Sequence, residues 1–164
     1  DMLSDLYASV PGSTASHNRY LNWWNRQTKN PSGNVCPSIK KYWYDESKAA
    51  SGALSTKYQI IPMLRMSEVY LIAMETSESL SEIQSLYDTY MQACQYTLYE
   101  PFKTVDAAHQ EMINEYRREF FAEGQMFYVY KRTGATKLMW NNDDTMTEDS
   151  YILPLPSSEY DSSK

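Results

Sequence analysis

Basic surplus, long apolar runs and clustered metal-binding residues are all scarce in this chain, and each shortage removes a class of function. Lys and Arg number 15 against 21 Asp and Glu, for a formal charge of −6, so the counterion release that drives binding to nucleic-acid phosphates has no source. Nucleic acid is not an expected partner. No uninterrupted apolar stretch reaches the roughly 18 residues that a membrane-spanning helix needs. The opening DMLSDLYASV has neither a basic nor a long apolar region, so no secretion signal is expected in these residues. That leaves a protein kept inside the cell, or an internal or C-terminal piece of a longer chain.

Cysteine and histidine are equally sparse. Cys36 and Cys94 have no second cysteine or histidine at metal-ligand spacing, so neither a zinc site nor any other metal site is expected. Cys94 falls on the apolar face of a helix, where a buried free thiol is the usual outcome. The two histidines, His17 in a polar loop and His109 early in a helix, read as solvated surface residues rather than catalysts. The acidic run NNDDTMTED offers oxygen donors but lacks the glycine and ligand order of an EF-hand loop, and reads as a solvated turn.

What is present is aromatic and amphipathic. Hydrophobic residues make up 42% and aromatics 14% of the 164 positions, enough for a folded core. Residues 1–60 form a segment rich in Ser, Asn, Gly and Pro (VPGSTASHN, KNPSGNVCPS, SKAASGALS) with aromatic islands at Tyr20, Trp23, Trp24 and Tyr42, Trp43, Tyr44, read as loops with a short strand or two. Near Ile60 the composition changes, and residues 61–164 read as a helical region.

From Pro62, PMLRMSEVYLIAMETSE is apolar nearly all round, with Arg65, Glu68 and Glu75 along one stripe, which predicts a helix buried between neighbours. From Ser81, the residues Ile83, Leu86, Tyr87, Tyr90, Met91, Cys94 and Leu98 fall on one face of a second helix, and the short break between the two predicts an αα-hairpin. A third helix is expected from Val105 to Glu123 with Val105, Ala108, Met112, Ile113, Tyr116 and Phe120 inside and Gly124 as its left-handed stop. In residues 125–130 both alternating sets are apolar or aromatic, which fits a buried strand or a further helical turn equally. The prolines of YILPLPSSEY forbid helix and favour an extended path. The fold class is mainly α, with hairpins of tetratricopeptide type and loop-rich segments, although no clean 34-residue repeat is present.

No group of residues assembles an acid/base pair, so no enzymatic activity and no cofactor are expected. Glu115, Glu119 and Glu123 lie at i, i+4 and i+8 beside Arg117 and Arg118; carboxylates so close to guanidiniums suit ion pairs and oppose the raised pKa of a general acid. Trp23, Trp24 and Trp43 stand in loop-like context, where exposed indoles stack on sugar rings or partner side chains, while core packing is as ordinary and is expected for at least one of them.

Three blocks together resemble the C-terminal portion of the SusD/RagB family. IPMLRMSEVYLIAMETSES is similar to the family's Arg-x-x-Glu-Val-Tyr-Leu helix through Arg65, Glu68, Val69, Tyr70, Leu71 and Glu75, with Met74 and Thr76 in place of alanines. INEYRREFFAEGQMFYVYKRTG resembles its Glu-Arg-x-x-Glu-Leu-x-x-Glu-Gly-x-Arg block and the aromatic-Asp-Leu-x-Arg segment that follows, through Glu115, Arg118, Glu119, Glu123, Gly124 and Arg132, with Tyr116, Met126 and Val129 where the family has Arg, Arg and Asp. YILPLPSSEY resembles its closing Leu-Pro-Ile-Pro stretch through Pro154 and Pro156, and Asn18-Arg19 is a weaker match to an Asp-x-Arg pair.

The resemblance implies a non-enzymatic outer-membrane lipoprotein at the cell surface, anchored by an N-terminal cysteine that is neither Cys36 nor Cys94. Such proteins capture an oligosaccharide or peptide nutrient and hand it to a SusC-like TonB-dependent transporter. Trp23, Trp24 and Trp43 are the candidate ligand platform. The rival expectation is a helical-repeat scaffold that binds protein and has no sugar site.

Overall fold

A computed structural model describes residues 2–8, 17–41, 63–96, 98–138 and 145–156 of the chain. It is mainly helical, as the periodicity predicts. Two compact units divide the chain, residues 1–119 and 120–164.

The first unit is organised around an antiparallel helical hairpin and one further helix. The second helix of the hairpin, α4 (Leu80–Ala93), starts where Ser79 accepts a hydrogen bond from the Glu82 backbone N–H, satisfying one of the donors that a helix start leaves orphaned. Ser77 reinforces the same turn by donating to the Glu82 carboxylate at 2.7 Å. Its apolar stripe buries Ile83, Tyr87, Tyr90 and Met91, as the spacing predicts, while Leu98 lies beyond the helix and is exposed. The preceding helix, α3 (Met66–Thr76), packs on α4 and on α5 (Val105–Glu119). Thr104 starts α5, its hydroxyl accepting from the Ala107 N–H at 3.1 Å.

Two expectations for these helices are corrected. α3 begins at Met66, not Pro62, with Arg65 as its cap residue in extended conformation. It is not buried all round either: Leu71 and Met74 face inward, whereas Met66, Val69 and Ile72 are exposed, as are Met63 and Leu64 just before it. An apolar sequence fixes the want of a cover on every side; the two neighbouring helices α4 and α5 supply it on one.

Where residues 1–60 are described, the short strands expected among the loops are present, and two short helices join them. Met2–Ala8 is a short helix, α1, which packs on α5, and Asn18–Asn22 is a single helical turn, α2. Next comes a small antiparallel hairpin, β1 (Trp24–Asn25) with β2 (Ser38–Ile39), in the register Trp24 opposite Ile39 and Asn25 opposite Ser38. The tip of the hairpin is Asn30-Pro31-Ser32-Gly33, closed by the Gly33 N–H on the Asn30 carbonyl at 2.9 Å. Pro31 presets the φ required of the second turn position, and Gly33 takes a left-handed φ of 82°.

The second unit opens with a turn rather than with the last turn of a helix. α5 ends at Glu119, four residues short of the expected Glu123. Ala122 and Gly124 both adopt positive φ, 64° and 75°, and a right-handed helix cannot contain either. Gly124 does reach the left-handed conformation expected of it, but it ends this turn. The aromatic stretch after it is a helix, α6 (Met126–Thr133), and not a strand. Gly134, φ 60°, stops α6, and the Ala135 N–H returns to the Tyr130 carbonyl at 2.9 Å, the usual way of satisfying last-turn carbonyls. A short 3-10 turn, Glu148–Tyr151, packs on α6; Tyr151 is buried and its hydroxyl donates to the Ala135 carbonyl at 2.6 Å. Pro154 and Pro156 follow it in an exposed stretch without helix or strand.

Candidate functional site

The strongest chemistry in the molecule is a buried ion network. Glu115, on the inner face of α5, and Arg118, one turn further on, are fully buried, and Arg19 from α2 is nearly so. Arg19 donates from Nη2 to the Glu115 carboxylate at 2.6 Å, and from Nη1 to Glu119 at 3.3 Å and the Tyr90 hydroxyl at 3.0 Å. The Tyr90 hydroxyl in turn donates to Glu115 at 3.1 Å. Arg118 holds the other Glu115 oxygen, pairs with Glu111 at 2.7 Å, and donates from Nε to the Leu6 carbonyl of α1 at 2.9 Å. At the edge, Arg65 stands 3.7 Å from the Glu119 carboxylate and Lys41 donates to the Glu119 backbone carbonyl.

Burial alone would raise the Glu115 carboxyl, yet the Arg19 and Arg118 guanidiniums overcome it and hold the group at about 2. A carboxylate held so low cannot deliver a proton as a general acid near neutral pH. Its work is mechanical. Three carboxylates (Glu111, Glu115, Glu119) and two guanidiniums (Arg19, Arg118) tie α1 and α2 to α4 and α5. Glu115, Arg118, Glu119 and Arg65 meet in or at the edge of this network. Glu68 lies in the first turn of α3, its N–H on the Arg65 carbonyl at 3.1 Å, Glu123 is half-buried in the turn after α5, and Arg132 is exposed in the last turn of α6. Val129, standing in for the family's Asp, is buried, and Met126 is half-buried.

The tryptophans separate. Trp24 is 6% exposed, and its indole N–H donates to the Tyr7 hydroxyl at 3.1 Å. It serves the core and is not available as a stacking platform, which corrects its place among the ligand candidates. Trp23 is half-buried, with the Lys41 ammonium 4.2 Å from its ring centroid and the Arg19 guanidinium at 5.9 Å. Such cations favour the electron-rich ring face, so an arriving sugar ring would compete with Lys41 for it. Nearby, Arg26 covers Tyr20 at 4.8 Å. Trp43 lies outside the described residues.

The histidines also part company. His109 is half-buried, with Nε2 3.0 Å from the Ser77 carbonyl. His17, expected on the surface, has no exposed area and lies between the rings of Tyr7 and Tyr96. Cys36 is exposed on the hairpin and Cys94 half-buried after α4, both free thiols; burial pushes Cys94 up to about 11, away from the reactive thiolate. Among the described residues no group of three or more His, Cys, Asp or Glu is placed to hold a metal ion. The run 141–144 of the acidic loop lies outside them.

The geometry therefore defines a helical scaffold, pinned by buried charge, that carries a short polar hairpin. A sequence model described as the SusD family matches residues 8–164, and the chain belongs to that family. No curated protein and no solved structure gives a match. Membership suggests nutrient or glycan binding at the cell surface, in a family of binding proteins rather than enzymes. Among the described residues no helix is long and apolar enough to cross a membrane.

Proposed function

We propose that the chain belongs to a lipid-anchored outer-membrane protein that captures a glycan or another oligomeric nutrient and delivers it to a SusC-like TonB-dependent transporter. The family match over residues 8–164 carries this reading. It is supported by the division of labour in the first unit, where buried ion pairs stiffen the helices and leave the segment of residues 17–41 to present aromatic and polar side chains. Ligand contact is assigned to residues 1–60 and the scaffold to residues 61–164. Trp23 and Trp43 are the proposed stacking residues, because a flat apolar ring with a polar edge tolerates a wet surface and matches the apolar face of a sugar. Binding requires no cofactor.

The test replaces Trp23 and Trp43 by Ala, singly, in the full-length protein and measures oligosaccharide affinity by titration calorimetry. A loss of about 1–2 kcal/mol in binding free energy for at least one variant is the expected result, the scale of an aromatic contact. Wild-type affinity in both would remove the platform from this part of the chain. A second reading, a helical scaffold that binds protein and no sugar, is favoured by the exposed apolar row Met63, Leu64, Met66, Val69 and Ile72. Co-purification of the transporter with no shift for any glycan in an array would decide for it.

A further inference from the structure

We propose that His17 is an acid-sensitive latch: its neutral ring fastens α1 and α2 to the α4–α5 core, and protonation releases them. The ring has no exposed area, and among the described residues neither of its nitrogens has a hydrogen-bond partner. Two aromatic rings flank it. Tyr96, just after α4, stacks on it with centroids 4.5 Å apart and planes at 20°, and Tyr7 of α1 meets it edge-on at 4.8 Å and 73°. The backbone of the same residue begins α2, its carbonyl accepting from the Leu21 N–H at 3.0 Å. One imidazole therefore sits where α1, α2 and the end of α4 converge.

A charge placed there has nothing to answer it. Among the described residues, the titratable and charged groups around the ring are Tyr7 of α1, Arg19 of α2, Tyr96 after α4, and Glu115 and Arg118 of α5. Two of these are cations. The anion, Glu115, already receives Arg19, Arg118 and the Tyr90 hydroxyl. An imidazolium would be desolvated, would add a third positive charge, and would find no free acceptor among the described residues.

Burial first, and Arg19 second, lower His17 to about 3 from its ordinary 6.5. Because the docked value lies below the released one, the contribution to docking is fully present above about pH 6.5 and is lost progressively as pH falls toward 3. Glu115, held at about 2, keeps its charge across that window. At pH 5.0 the released state gains about 30-fold over the docked state relative to neutral pH, from one proton taken up at 6.5 and refused until 3.

The experiment is amide hydrogen exchange of the full chain at pH 7.5 and 5.0, corrected for intrinsic rates, on wild type and on His17→Phe. Phenylalanine keeps the stacked ring and cannot take the proton. The opening constant of α1 and α2 peptides is expected to rise about 30-fold at pH 5.0 in wild type, to stay flat in His17→Phe, and to rise far less over α4. An equal rise in both proteins, or an equal rise over α4, would overturn the latch. Should the variant fail to fold, NMR titration of the wild-type ring decides: no titration between pH 7.5 and 5.0 in the docked form supports it, and a midpoint near 6.5 refutes it.

Discussion

α5 buries charge while α3 exposes grease, and both helices belong to the same three-helix packing. α5 carries Glu115, Arg118 and Glu119 on its inner face beside Ala108, Met112 and Tyr116. α3, far more apolar in sequence, hides Leu71 and Met74 and leaves Met66, Val69 and Ile72 in the open. Hydrophobicity alone would have assigned the two helices the opposite environments. What decides is the partner. The α5 charges are buried because Arg19 arrives from 96 residues away to complete their neutralisation, whereas the outer face of α3 meets no described element. A buried charge is tolerable only when paired and hydrogen-bonded, so the inner face of α5 demands α2 in a way that an apolar stripe does not demand any particular neighbour.

The contrast can be broken most forcefully at its centre. Glu115→Ala leaves Arg19 and Arg118 buried without their shared anion, and a loss of about 3–5 kcal/mol is expected in urea denaturation. A loss under about 1 kcal/mol would mean that the network is decoration. On α3 the two faces should answer differently. Leu71→Ala on the inner face is expected to cost about 2–5 kcal/mol, and Ile72→Ser on the outer face to stay within about 0.5 kcal/mol in the isolated chain. Equal losses would place a cover over the outer face. The gentlest probe is Ser79→Ala, which removes the oxygen that caps α4; thermal denaturation should register about 1 kcal/mol. No change would shift the start of α4 away from Ser79.

Periodicity disclosed a good part of this fold. Ile83, Tyr87, Tyr90 and Met91 were placeable on one face because a 3.6-residue repeat leaves a regular trace, and Ala108, Met112 and Tyr116 likewise. The pairing of Glu115 with Arg118 followed from charge spacing, whereas Glu119 pairs with Arg19 and Arg65 from far along the chain; the family followed from three joint motifs. Long-range choices left no such trace. Nothing local in HNRY announces that His17 and Arg19 are both buried, because their partners, Tyr96 and Glu115, lie far along the chain. Trp23 and Trp24 are neighbours, and only the change from the helical backbone of Trp23, which caps α2, to the strand that begins at Trp24 sends one beside Lys41 and the other to Tyr7. The α6 stretch has apolar residues in both alternating sets, so period 2 and period 3.6 fit it equally, and the left-handed Ala122 could not be foreseen from a residue that prefers helix.

Buried charge fastens α2 to α4 and α5. A double-mutant cycle with Arg19→Met and Glu115→Met, read by chemical denaturation, tests it most directly. The account predicts that each single replacement costs several kcal/mol, and that the double replacement is at least about 2 kcal/mol less damaging than the sum, since neither charge is then left buried alone. Additive losses would contradict it.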